Sequence, residues 1–167
     1  MKFNVNHTLL RSRAKLIMEQ FEDIAQGFLI EEAEQAPLRK RIRDAVKNDS
    51  SKLSIFERGV MLQYLIDEMF GCGPLGPALR NPGVREIHVL ADLKILSFTE
   101  NGTSEEDIGF DDHEHLMVIL KRLIHPRKIS KSDSEITHVC PNGTQIKFQR
   151  SPKHPETSLV SIELVRH

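Results

Sequence analysis

Residues 62–89, LQYLIDEMFGCGPLGPALRNPGVREIHV, constrain this chain more than any other stretch, because they set a helix, its end, a turn and a strand in one run. Met61, Leu65 and Met69 recur at four-residue spacing, and Leu62, Ile66 and Phe70 form a second such row, which predicts a helix buried on more than one side. Gly71, Gly73, Pro74, Gly76 and Pro77 then stop it: glycine permits the left-handed conformation that ends a helix, and proline cannot continue one. Leu75, Ala78 and Leu79 fit one more short helical turn before Asn81, Pro82 and Gly83 break the chain again. Residues 85–89 alternate, with Ile87 and Val89 on one face of a strand and Glu86 and His88 on the other.

With 167 residues the chain is long enough for one compact domain with a helical appendage, and its formal charge of -1 does not suggest a general binder of nucleic acid or membrane surface. Cys72 and Cys140 lie far apart without CxxC spacing, so neither a disulfide framework nor a zinc site is indicated. No apolar run is long enough for a signal peptide or a membrane span, and a reducing cytoplasm is the simplest compartment.

Residues 7 to 28 predict a helix whose apolar stripe is Leu10, Ala14, Ile17, Phe21, Ile24 and Phe28. A second helical stretch, 30 to 46, carries Pro37 in its middle and is expected to break or kink there. Arg39, Lys40, Arg41, Arg43 and Lys47 surround Leu38, Ile42 and Val46, a pattern typical of the solvated side of an amphipathic helix. Residues 48–52 read as a linker, which sets the expected division: a helical subdomain at 1–50 and an α+β domain at 53–167. Ser54 and Glu57 offer a capping box for the central helix.

After the first strand, residues 93–99 predict a second across a turn at Ala91-Asp92, and Ile108 and Phe110 a short third. Asp111 is the expected cap of a further helix, with Glu114 completing a capping box and Leu116, Ile119, Leu120 and Leu123 as its buried face. Residues 136–149 read as a hairpin about Pro141-Asn142-Gly143, and 159–165 as a last strand. Helices followed by mostly antiparallel strands with one helix interposed make the fold class α+β: an N-terminal helical subdomain, then a small sheet with packed helices.

The run Asp67-Glu68-Met69-Phe70-Gly71-Cys72-Gly73-Pro74-Leu75, with Asn81-Pro82 and Glu86-Ile87-His88-Val89 after it, resembles the signature of the N-terminal domain of type II/type IV secretion ATPases, in the tight-adherence pilus (CpaF/TadA-like) branch. Gly71, Gly73, Pro74, Leu75, Pro77, Glu86, Pro141 and Gly143 carry it. The element order is similar to that domain over about residues 53 to 166. In that family the domain sits over a separate RecA-like motor, with nucleotide between the two. No GxxxxGK[ST] occurs in this chain, so the expectation is a protein that is not an enzyme and holds no cofactor. The family's hairpin has arginines that are candidates for reaching phosphate. Here Val139 and Gln145 stand at those places, and Glu163 replaces a basic residue in the last strand.

Asp111, Asp112, His113, Glu114 and His115 are the only dense set of metal-ligand types, but their adjacency and capping roles argue against a metal site. His88 and His138 lie on strands, yet no spacing positions a nucleophile beside either, so no catalytic residue is assigned. Lys121, Arg122, Arg127, Lys128 and Lys131 follow an acidic stretch and are the candidate face for a partner or an anionic ligand. Three readings stay open. One is a non-catalytic adaptor or regulatory pseudo-subunit that binds a secretion or pilus-assembly ATPase or another cytoplasmic component of that machine. Another is a module sensing an anionic ligand such as a nucleotide, and the third is the front piece of an active secretion ATPase. None calls for nucleic acid or direct membrane insertion, and each allows a homo-oligomer.

Overall fold

In a computed structural model, residues 5–21, 32–49, 51–154 and 158–165 are described. The chain forms two compact units, Met1–Gly73 and Pro74–His167. The division falls at the Gly/Pro turn, so the central helix belongs to the helical unit, whereas the linker at 48–52 predicts that it goes with the sheet.

The helical unit holds α1 (His7–Met18), a 3-10 turn at Glu19–Phe21, α2 (Glu32–Asn48) and α3 (Ile55–Phe70). Leu10, Ala14, Ile17 and Phe21 are buried as the stripe requires, while Ile24 and Phe28 lie outside the described residues. α2 buries Leu38, Ile42 and Val46. It is not broken at Pro37, which lies inside the continuous helix. Pro37 is only the sixth residue of α2, so it removes one bond near the helix start, where tertiary burial of the apolar row outweighs the loss. Two members of the basic cluster are not simply solvated: the Arg39 guanidinium lies 5.1 Å from the centre of the Phe70 ring, and that of Arg41 lies 5.2 Å from Phe21.

α3 opens with the expected capping box: Ser54 Oγ accepts from the Glu57 amide at 3.2 Å, and Glu57 Oε2 accepts from the Ser54 amide at 2.8 Å. Its buried face is Met61, Tyr64, Leu65 and Asp67, with Leu62, Ile66, Met69 and Phe70 half-buried. Tyr64 is tolerated there because His7 Nδ1 hydrogen-bonds its hydroxyl, and Asp67 because it accepts from Gln63 at 3.0 Å.

The second unit contains α4 (Gly76–Arg80), α5 (His113–Leu123) and six strands: β1 (Val84–Val89), β2 (Ile95–Thr99), β3 (Gly102–Glu105), β4 (Glu135–Val139), β5 (Gln145–Arg150) and β6 (Ser158–Glu163). They form one antiparallel sheet in the order β3-β2-β1-β6-β5-β4, which makes the fold α+β as expected. Alternation assigns the faces. Ile87, Val89, Ile95, Ile136, Ile146, Phe148, Val160 and Ile162 are buried on one side, and Glu86, His88, Lys147 and Glu163 stand on the other.

Two expectations are corrected here. The third strand is Gly102–Glu105, not the segment around Ile108 and Phe110: the chain turns back at once after Asn101, and β3 pairs with β2 as a wholly exposed edge. The cap of α5 is Asp112, whose Oδ1 accepts from the His115 amide at 2.8 Å, so Glu114 does not occupy the capping-box position. In addition β2 begins at Ile95 rather than Leu93. Leu93 has φ of 68° and belongs to the turn, where its amide bonds the Leu90 carbonyl at 2.9 Å.

Candidate functional site

The register of the sheet collects positions that are far apart in sequence. Val139 pairs with Gln145, Gln145 with Glu163, and Glu163 with Glu86, so the four residues form one row across β4, β5, β6 and β1 on the open face. Three of them are the places at which the resemblance would put phosphate-seeking basic groups. Here they carry an aliphatic group, a neutral amide and a carboxylate, and the fourth adds a second carboxylate directly opposite the first. Like charges opposed across strands repel one another. The row cannot supply the bidentate guanidinium contacts that hold a phosphate.

Beside this row His88 Nε2 lies 2.6 Å from Glu86 Oε1, and its ring stacks obliquely on Phe98 with centroids 4.6 Å apart. His138 does not join it. Its strand lies three strand spacings away in the sheet, about 14 Å, and its side chain occupies the opposite face by alternation. Around Asp111 and His115 the contacts are local to the start of α5: His115 Nδ1 lies 3.6 Å from Asp111 Oδ2, and its ring meets Phe110 edge-on. Among the described residues no three metal-ligand types come together.

The predicted basic face divides into parts with different surroundings. Lys121 and Arg122 fall in the last turn of α5, where positive charge complements the helix end. Arg127 is committed to backbone: its Nη1 donates to the Thr137 carbonyl at 2.6 Å. Lys128 and Lys131 are exposed, and the Lys131 carbonyl accepts from Arg150 Nη1, which ties this loop to β5. Neither the alternation of β4 nor the charge of Arg127 signals the Arg127–Thr137 contact in the sequence.

The signature residues serve the backbone. The Gly71 amide bonds the Asp67 carbonyl at 3.0 Å to end α3, and a Cβ at Gly71 would stand 3.3 Å from that same oxygen. Gly73 has φ of 53°, the left-handed conformation that the turn needs. Gly73, Pro74 and Leu75 are buried in the 3-10 turn, and Pro77 is the second residue of α4, in the first turn where proline is tolerated. Pro141 is exposed at the tip of the β4–β5 hairpin, and Gly143 closes it with φ of 87° and an amide bond to the Cys140 carbonyl at 2.8 Å. Glu86 is the one member of the signature that offers a functional group to the open face.

No helix among the described residues is long and apolar enough to cross a membrane. No family model and no curated protein matches the chain. Among solved structures it is similar to the VirB11 ATPase of the Brucella suis type IV secretion system, solved in complex with sulphate, at 23% identity and a TM-score of 0.46. That likeness covers 56% of this chain and 30% of the VirB11 ATPase, so the chain spans less than a third of that protein's length.

Proposed function

We propose that this chain is a non-catalytic adaptor, or regulatory pseudo-subunit, of a cytoplasmic secretion or pilus-assembly machine, acting on its ATPase through protein contacts rather than by nucleotide chemistry. The observation that supports this reading best is the row Val139, Gln145, Glu163 and Glu86. Gly73 and Gly143 hold the turns that carry the resemblance in left-handed conformations, while the places suited to phosphate present an apolar group, an amide and two carboxylates.

A bound triphosphate would meet repulsion there. Each charge-assisted contact that is missing lowers affinity by about 1.5 to 3 kcal/mol, so two or three missing contacts amount to several orders of magnitude. The anion-sensing reading is less favoured, because Arg127, central to the basic segment, is held by a backbone carbonyl.

Two measurements test the assignment. Titration calorimetry of the chain with Mg-ATP is expected to give no saturable heat, and low-micromolar binding abolished by changing Lys128 would overturn it. Affinity capture with a purified secretion ATPase from the same cell is expected to be stable and specific. Failure to capture that ATPase or any other part of the machine removes the adaptor role.

A further inference from the structure

Among the described residues β4 is the last strand of the sheet on its side, and the ladder states which of its backbone groups face outward. The Arg150 amide bonds the Ser134 carbonyl and the Cys140 amide bonds the Thr144 carbonyl, both at 2.8 Å. In an antiparallel ladder the groups alternate, so Ile136 and His138 face β5, while Glu135, Thr137 and Val139 turn their amides and carbonyls away from the sheet. Arg127 caps the central outward carbonyl, that of Thr137. A long side chain laid over an edge is one way a protein keeps an unpaired strand from pairing with another chain, and unlike a covering helix it leaves by simple rotation.

We propose that β4 is a docking edge, and that an extended acidic segment of a partner protein adds to it as a seventh strand once Arg127 swings off the Thr137 carbonyl. This deepens the adaptor reading and rests on it. Main-chain pairing supplies affinity, and the surrounding charge selects the occupant. The loop leading into β4 holds Arg127 level with Thr137, with Lys128 beside it and Lys131 near the strand start, and both lysines are exposed. Asp133, whose carboxylate accepts from the Ser130 amide at 2.7 Å, keeps its negative charge but is outnumbered by the three cations Arg127, Lys128 and Lys131. Glu135 is the only carboxylate on the strand itself, and its side chain stands on the open face of the sheet rather than along the edge. A displaced Arg127 would find its new partner in a carboxylate of the incoming strand.

The opposite edge is a poorer site. The Glu106 amide bonds the Ile95 carbonyl, which leaves only Thr103 and Glu105 facing outward on β3, and Glu105 brings negative charge. Glu105 meets Lys94 Nζ at 3.4 Å, so that edge has no surplus of positive charge with which to hold an acidic strand.

The probe is a short labelled peptide of alternating glutamate and valine, titrated by fluorescence anisotropy into the full chain. A lysine–valine counterpart and a version N-methylated on alternate residues serve as controls. We expect the glutamate probe to bind, the lysine probe to bind at least tenfold more weakly, and N-methylation to abolish binding because it removes only the peptide's pairing amides. Thr137→Pro removes one outward amide without touching the ladder to β5 and should weaken binding tenfold or more. Paired Lys128→Glu and Lys131→Glu should do so at low salt. Hydrogen exchange should show new protection at Glu135, Thr137 and Val139. No binding, binding indifferent to N-methylation, or equal binding of the lysine probe would overturn the proposal, and the N-methylated control keeps that outcome independent of how any variant folds. Capture of the secretion ATPase by a chain that fails these tests removes the docking edge and leaves the adaptor reading in place.

Discussion

Arg58 Nη1 donates to the carbonyl of Val46 at 2.6 Å, so a residue in the first turns of α3 closes the end of α2. The same guanidinium reaches the carbonyls of Lys47 at 3.2 Å, Leu53 at 3.3 Å, Asp49 at 3.3 Å and Ser51 at 3.0 Å. The last carbonyls of a helix have no partner within it, and the linker after α2 has no ladder to join, so one planar donor satisfies both.

Arg58→Ala is therefore expected to destabilise the chain by about 2 to 4 kcal/mol. Arg58→Lys should recover only a minor part of that loss, since an ammonium cannot spread its donors over five oxygens. Urea denaturation of the unchanged chain and both variants measures it. If Arg58→Lys proves as stable as the unchanged chain, the planar-donor argument is refuted.

The linker also sets a response to acid. The hydrogen bond from Arg13 at 2.7 Å, followed by bonds from Ser51, holds the Asp49 carboxyl down at about 2. A carboxyl lowered in the folded state contributes stability that is complete above its unfolded value and disappears as pH falls through its folded value. Stability should fall between about pH 4 and pH 2 by an amount on the order of 1 kcal/mol, allowing for screening at the partly exposed Arg13. Asp49→Asn should flatten that part of the profile. An unchanged slope in this window would show that the pair is not coupled to folding.

Two glycines make opposite predictions. A Cβ on Gly109 would lie 2.6 Å from the Leu93 carbonyl oxygen, and that backbone is fixed by the bond from the Phe110 amide to the same oxygen at 3.0 Å. Gly109→Ala should destabilise by about 1 to 3 kcal/mol. Gly59 is exposed inside α3 with nothing within 4 Å of its would-be Cβ, and Gly59→Ala should stabilise by about 0.5 to 1 kcal/mol. Thermal melts of the two variants, moving in opposite directions, test both.

Across the open face, Glu163→Lys should exchange a repulsive neighbour of Glu86 for an attractive one and stabilise by about 0.2 to 1 kcal/mol. In Glu86→Gln the gain should shrink, which a double-mutant cycle resolves. An equal gain in both backgrounds means that the two side chains do not sense each other.

The rows of α1 and α2 were legible from spacing because their buried positions are plain aliphatics or phenylalanine at helical intervals. Tyr64 was not, since its polar tip hides a buried ring whose partner, His7, is far away in sequence. β3 is not legible because GTSE has no apolar alternation: an edge strand exposed on both faces has no hydrophobic pattern to show, and the Asn101-Gly102 turn is its one signal. The basic candidate residues were visible as charges, but the use of Arg127 depends on a strand edge that exists only once the sheet is assembled. The row Val139, Gln145, Glu163 and Glu86 likewise depends on register, which individual strand patterns do not state.

The order β3-β2-β1-β6-β5-β4 puts the last of these six strands in chain order in the middle of the sheet. Until β6 leaves the ribosome, β1 to β3 and the β4–β5 hairpin are two fragments with no strand to join them, and each has a raw edge on its inner side. The sheet thus closes by the insertion of a keystone rather than by growth from one end. A nascent chain stalled before Ser158 would carry both inner edges open, and the arrival of β6 covers the two in one step.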